Sequence, residues 1–200
     1  GAADRVVPLL EIKEIVGPIR KGVPYEGIKV VNGTMDAWTG LLGTGGYKEK
    51  SSIYLSGTSE ILGINSGEVN PTPGVIVFPE YNKIKLHAGP TQSGGASKLW
   101  FCSLFNIKPK EMINLVQEGN FKEMAPIFLP HLQGERAPIW QSNLKGMFYG
   151  MNSNTDSSML ARAVYEGVAF SARWLLETLE ASSKQINDEY KNSLEMISKK

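Results

Sequence analysis

The chain has 200 residues, 42% of them hydrophobic and 20% charged; it is too apolar for disorder, and its length suits one large domain or two small ones. Its 21 Lys and Arg against 20 Asp and Glu leave a net charge of +1, which removes the bulk electrostatic case for a nucleic acid or an anionic membrane as partner. One cysteine, two histidines and no apolar run of about 18 residues exclude an intrachain disulfide, a multi-thiolate metal centre and a membrane-spanning helix, and leave little room for a histidine-based zinc site.

The opening stretch GAADRVVPLL lacks the basic segment and apolar core of a secretory signal, so a reducing, cytoplasmic setting is expected. Residues 28–32 (IKVVN) form a short apolar run that ends at Gly33, the pattern of a buried strand followed by a turn. Asp36 then stands at or near the N-cap of a helix written AWTGLLG, which the GTGG of residues 43–46 breaks. Two β-like runs follow, Ser52–Ser56 and Ile61–Asn65, with Gly57, Thr58, Ser59 and Glu60 between them, which predicts a hairpin with a small-residue turn. Val75–Tyr81 and Lys83–His87 predict a second strand pair around Asn82. Gly94 and Gly95 open a helix from Ala96 to Phe105, and Pro109 stands at the first position of another that runs to about Gln117. Residues 126–150, with Pro126, Pro130, Pro138 and three glycines, read as loop. From Ser157 to about Ser182, Leu160, Ala163, Val164, Gly167, Val168, Phe170, Ala172, Trp174, Leu175 and Leu179 follow helical spacing, and the tail beyond is polar. Strands and helices both recur, so the class is α/β.

Four places offer chemistry. Asp36 follows a strand and a glycine turn, where α/β folds place reactive groups; the same residue also serves as an ordinary helix cap worth about 1 kcal/mol. The SGTSE turn presents backbone N–H groups and two hydroxyls, which suits a phosphate, although plain hairpin turns share this composition. Gly94 and Gly95 at a helix start offer either free N–H groups for an anion or room for close packing. Glu135 beside Arg136, in a loop rich in Pro and Gly, suits a salt-bridged latch or a ligand contact. His87 and His131 read as structural, and Cys102, next to Phe101 and Phe105, as core. The phosphate and nucleophile signatures GxxxxGK[ST], GxGxxG and GxSxG do not occur.

In order, the stretches GIKVVNGTMDAWTGLLGTGG, YLSGTSEILG, GPTQSGGASKLW, FLPHLQGERAPIW and GMFYGMNSNT…ARAVYEGVAFSARWLLETLE are similar to the FGGY carbohydrate kinases, most of all their xylulokinase-like members. The resemblance covers roughly residues 5–180, and Met159 is one departure, at a place where the family tends to have a polar residue. It implies an actin-like (ribonuclease H-like) ATPase fold, present here in part. Residues 1–50 would be the end of the N-terminal domain, and 51–200 the first part of the C-terminal domain. It implies transfer of the γ-phosphate of ATP, with Mg²⁺, to a hydroxyl of a pentulose such as xylulose. Asp36 would be the catalytic base. Gly57, Thr58 and Ser59, together with Gly94 and Gly95, would hold the ATP phosphates. Glu135 and Arg136 would be a structural or domain-coupling loop, and no residue of this chain is assigned to a metal. Partners would be a sugar, ATP and a second copy of the chain in a homodimer, with no nucleic acid and no membrane.

The family also carries an Asp-Xaa-Gly loop near its N-terminus and a glycine-rich adenine-binding segment after the EG-containing helix. Here no Asp-Xaa-Gly occurs and the last glycine is Gly167, so the chain is expected to be an internal piece, inactive by itself. Other readings are a kinase for another sugar, gluconate or a polyol, a non-catalytic scaffold module of the same fold, and a different actin-like ATPase.

Overall fold

The computed structural model describes residues 10–34, 36–119 and 124–183. The polar tail after Ser183 lies outside the described residues. The chain divides into two compact units, Gly1–Tyr47 and Lys48–Lys200. Among the described residues no helix is long and apolar enough to cross a membrane.

The first unit holds a ribbon of β1 (Ile15–Pro18) and β2 (Lys29–Val31), paired antiparallel with a register shift between Ile15 and Gly17. It continues, past Gly33 at φ +71°, to α1 (Asp36–Gly43). The predicted strand exists but is not buried: Lys29, Val30 and Val31 are all exposed. A two-stranded ribbon has no second layer of its own against which to bury its apolar side chains. Burial in this unit falls to Trp38 and Leu41 on α1, and Trp38 meets Tyr47 with ring centroids 5.1 Å apart.

The second unit is built on a four-stranded antiparallel sheet of β3 (Ser52–Ser56), β4 (Glu60–Ser66), β5 (Ile76–Val77) and β6 (Lys85–Pro90), in the order β3-β4-β6-β5. The first hairpin forms as its sequence predicts. In the second pair β5 shrinks to two residues, since Pro79 brings no N–H to the ladder, and β6 runs on to Pro90. Asn82 and Lys83 make the turn at φ +50° and +63°. Helices α2 (Gly95–Phe105) and α3 (Pro109–Glu118) follow, α3 with Pro109 in its first turn and Lys108 N–H donating to Glu111 Oε2 at 2.5 Å.

The stretch 126–150 is more ordered than its prolines suggest. It contains a second ribbon, β7 (Ile127–Leu129) paired with β8 (Met147–Tyr149). Three-residue strands carry too little alternation to stand out from a loop. This one is held by Phe128, buried at 2% exposure and packed on Phe148 and Trp100 with centroids 4.6 and 5.9 Å away.

The spine is α4 (Ser157–Ser183), whose N-terminal Asp156 accepts from Ser158 Oγ and Met159 N at 2.6 and 2.8 Å. Those two bonds hold the Asp156 carboxyl below its ordinary range. Ala161, Ala163 and Val164 enter one core with Phe101, Cys102, Met112 and Phe128; Leu175, Leu176 and Leu179 enter another with Leu62, Ile64 and Ala137. Met159 is buried as well, so the departure at this position is absorbed by packing. Phe170 and Trp174, placed on the apolar stripe by spacing, are instead exposed at 59% and 44%. Gly167 lets the helix close on β7: a Cβ there would lie 2.3 Å from Phe128 O.

Candidate functional site

In the second unit the motifs of three distant segments meet. The β3–β4 hairpin pairs Ser56 with Glu60, which leaves Gly57, Thr58 and Ser59 as the connecting loop. Gly57 and Thr58 are exposed and Ser59 is half-buried. The start of α2 docks directly on this loop: Gly95 N–H donates to Gly57 O at 2.8 Å and Ala96 N–H to Thr58 O at 3.0 Å. A Cβ on Gly95 would lie 2.6 Å from Gly57 O, and one on Gly94 would lie 2.9 Å from Ser59 Cα. Both glycines are therefore required by backbone packing on backbone.

This corrects one sequence expectation. The N–H groups of Gly95 and Ala96 are not open to an anion, because the hairpin carbonyls already accept them. The same bonds create a different set of donors. In a trans peptide the C=O and N–H of one plane point in opposite directions. With the Gly57 and Thr58 carbonyls turned toward α2, the Thr58 and Ser59 N–H groups are turned away from it. Among the described residues neither N–H, nor the Thr58 hydroxyl, has a hydrogen-bond partner within the chain. The anion-suited groups are thus those of the loop, and the helix start aims them.

The loop at 134–137 braces this arrangement. Glu135 is 4% exposed. Its Oε1 accepts from Gln92 N at 2.5 Å and from Arg136 N at 2.9 Å; its Oε2 lies 3.1 Å from Ser93 Oγ and 3.0 Å from His131 Nδ1. The Ser93 hydroxyl, with one proton, also faces Pro130 O at 2.7 Å. The Arg136 side chain has other partners: its Nη2 donates to Ser59 Oγ at 2.9 Å and to the Thr91 carbonyl. Of the two readings offered by sequence, a salt-bridged latch or a ligand contact, no ion pair between these neighbours is seen among the described residues; they diverge, Glu135 holding the Gln92–Ser93 bend and Arg136 holding the hairpin loop. His131 acts as a further contact of Glu135. Thr91 closes the circuit, with Thr91 N donating to Glu60 O at 2.8 Å and Glu60 N to Thr91 Oγ1 at 3.2 Å.

Beside the loop lies a cavity of about 270 Å³. Its polar rim is Gly57, Thr58, Gly95 and Lys98, and its walls include Leu99, Cys102, Met112 and Tyr165. Lys98 Nζ lies 5.1 Å from the centre of the Tyr165 ring. Burial raises the pKa of Cys102 and of Tyr165, which keeps both neutral wall groups and leaves the thiol unreactive. A larger cavity of about 480 Å³, along α3 at Glu111, Leu115 and Glu118, does not include any of the hairpin residues.

Asp36 belongs to the first unit. It is exposed and is the first residue of α1, where its carbonyl accepts from Thr39 Oγ1 at 2.8 Å. Four polar groups of the second unit escaped the reading from sequence: Glu60, Thr91, Ser93 and Lys98. Glu60 is 1% exposed at the head of β4 and accepts from Ser56 Oγ at 3.2 Å; burial, with Glu60 adding to it, pushes the Tyr54 pKa up to about 12. A glutamate opening an otherwise apolar strand was the available signal. For the other three, only the return of the chain brings them to the loop.

Residues 53–189 match the model of the FGGY family of carbohydrate kinases, C-terminal domain. The chain is 28% identical over 200 residues to xylulose kinase of Bacillus subtilis (strain 168), covering 93% of this chain and 39% of that protein. Among solved structures it is similar to a xyloylose kinase from Brucella ovis, with a TM-score of 0.76 at 26% identity, covering 86% of this chain and 37% of that one. It is also similar to Plasmodium falciparum glycerol kinase with ADP, with a TM-score of 0.73 at 26% identity over 86% of this chain and 36% of that one. The architecture is part of the actin-like, ribonuclease H-like ATPase fold. The chain spans under two fifths of the length of each of these proteins.

Proposed function

Because this chain belongs to the FGGY family of carbohydrate kinases, we propose that it is part of an enzyme that transfers the γ-phosphoryl group of ATP to a hydroxyl of a pentulose such as xylulose. The observation that carries this reading is the hairpin loop, whose Thr58 and Ser59 N–H groups and Thr58 hydroxyl are left without partners beside a cavity. These donors fit an oligophosphate, and the largely apolar cavity, with Lys98 in its lining, suits the remainder of a nucleotide. ATP would supply the phosphoryl group; Thr58 and Ser59 would hold its phosphates, with Gly57, whose N–H is spent on Ser59 O at 3.1 Å, shaping the loop and Gly94 and Gly95 supporting it from beneath. Mg²⁺ is the expected companion of those phosphates. Among the described residues no group of three His, Cys, Asp or Glu could hold a metal, so no step is assigned to a protein-held ion.

Phosphoryl transfer asks little covalent chemistry of the protein; it needs positioning and charge stabilisation. A carboxylate near the attacking hydroxyl accepts its proton as the new O–P bond forms. Asp36, exposed at a helix start, fills that role in this reading. Residues 1–50 would then close the N-terminal domain and residues 51–200 open the C-terminal one. The 200-residue chain by itself should phosphorylate no sugar. The likeness to a glycerol kinase supports a second reading in which the acceptor is a polyol.

An ADP-release assay on the complete gene product, with ATP and xylulose, ribulose, gluconate or glycerol in turn, tests both. Xylulose is expected to be turned over best. Asp36→Asn should lower kcat roughly 10²–10⁴-fold with the thermal midpoint unchanged. Full activity in that variant would reduce Asp36 to a helix-start residue, and no ADP release with any acceptor would overturn the kinase reading.

A further inference from the structure

Ser59 differs from its neighbours in the loop because a half-buried cation already holds it. Arg136 Nη2 donates to Ser59 Oγ at 2.9 Å and to the Thr91 carbonyl. The Arg136 Nε is buried and, among the described residues, has no hydrogen-bond partner, so the base of the guanidinium is withdrawn from solvent. Its own backbone N–H is fixed by Glu135 Oε1 at 2.9 Å, and that carboxylate also pins the bend at Gln92 and Ser93.

A serine hydroxyl has one proton and two lone pairs. One lone pair of Ser59 is taken by the guanidinium, so the O–H remains to be donated. Accepting from a cation also polarises the hydroxyl and strengthens it as a donor. Among the described residues no acceptor within the chain takes that proton. The Ser59 N–H meanwhile is turned away from α2, on the side that Thr58 N–H also faces.

We propose that Arg136 is a positioning residue for phosphate binding: it acts through Ser59, orienting and polarising that hydroxyl as a donor to the terminal phosphates of ATP, without touching the nucleotide itself. The inference rests on the kinase reading only in taking ATP as the anion. Arginine suits the task because the two protons of one nitrogen, Nη2, lie fixed in the guanidinium plane and serve Ser59 and Thr91 at once, whereas the ammonium of lysine turns freely on a flexible stem.

The test is a double-mutant cycle on the complete gene product, read by calorimetric titration with ATP in the absence of sugar, with thermal midpoints measured alongside. Ser59→Ala and Arg136→Met should each weaken ATP binding about tenfold, the order expected for a charge-assisted hydrogen bond. The double variant should be no weaker than either single one. Ser59→Thr, which keeps the hydroxyl, should restore the affinity. Arg136→Lys should not. Additive losses would mean that Arg136 acts elsewhere and would overturn the proposal. If Arg136→Met fails to fold, Ser59→Ala alone decides, since unchanged ATP affinity in that variant overturns the proposal as well. ATP binding without turnover of any sugar would defeat the kinase reading and leave the coupling of Arg136 to Ser59 measurable; a wild-type protein that binds no ATP would overturn this inference.

Discussion

The ribbon β1–β2 leaves Val30 and Val31 at 42% and 53% exposure, whereas α4 holds Val164, Leu175 and Leu179 at 0%. Similar side chains thus meet opposite fates in the two units. The ribbon has two faces and, within its unit, no layer to place against them. The helix lies between a sheet and two shorter helices, and its two halves feed two cores. Burial, and the stability that comes with it, follows from the presence of a second layer more than from hydrophobic content. The chemistry is divided differently: the proposed base is in the thinly packed unit, and the phosphate-suited loop is braced in the well-packed one.

The largest effect should come from the core of the second unit. Phe101→Ala removes a side chain with no exposed surface and should cost about 3–5 kcal/mol in urea unfolding. A cost below about 1 kcal/mol would break the contrast between the units. A smaller effect should appear with acid. His87 is fully buried, with Nδ1 2.8 Å from Ser182 Oγ and Nε2 3.0 Å from Glu68 O. The carbonyl can only accept, so Nε2 carries the proton and Nδ1 accepts from the serine. Burial is the main cause that holds its pKa below the usual 6.5. Its contribution is therefore present above the unfolded value and is lost as pH falls through the folded one. Thermal midpoints should drop as pH falls below about 6.5, and His87→Gln should flatten that slope. An unchanged slope would place the acid sensitivity elsewhere. The smallest effect belongs to the ribbon. Val31→Thr should shift the unfolding free energy by no more than about 0.5 kcal/mol, and a loss of 2 kcal/mol or so would show that the ribbon has a covering layer after all.

Much of the second unit was legible because its signals are local. The alternation of Ser52–Ser56 and the Gly-Thr-Ser turn announce the first hairpin, Pro109 announces α3, and the spacing from Leu160 to Leu179 announces α4. Where the local signal was thin, reading failed. The strands β7 and β8 span three residues each, and β5 spans two. On α4, Phe170 and Trp174 belong by spacing to the apolar stripe, yet they are exposed because the neighbours of the helix cover only part of that arc. The candidate site was legible as a set of residues, though not as a set of bonds. Asp36, Gly57, Thr58, Ser59, Gly94, Gly95, Glu135 and Arg136 all stand out by composition and motif. Nothing in the motifs says that Glu135 and Arg136 turn to different partners.

Those partners are far along the chain. Arg136 reaches back 77 residues to Ser59 and 45 to Thr91, and Glu135 reaches back 43 to Gln92. By itself the sequence determined the elements with strong periodicity, the turns that need glycine or proline, and the residues with chemistry to offer, since each depends on neighbours a few positions away. Only the tertiary structure decided which donors stay open: the N–H groups at the start of α2 are taken by hairpin carbonyls, and the loop donors are thereby turned outward. A hydrogen bond takes its partner from where the chain returns in space, and periods of two or 3.6 residues carry no record of that return.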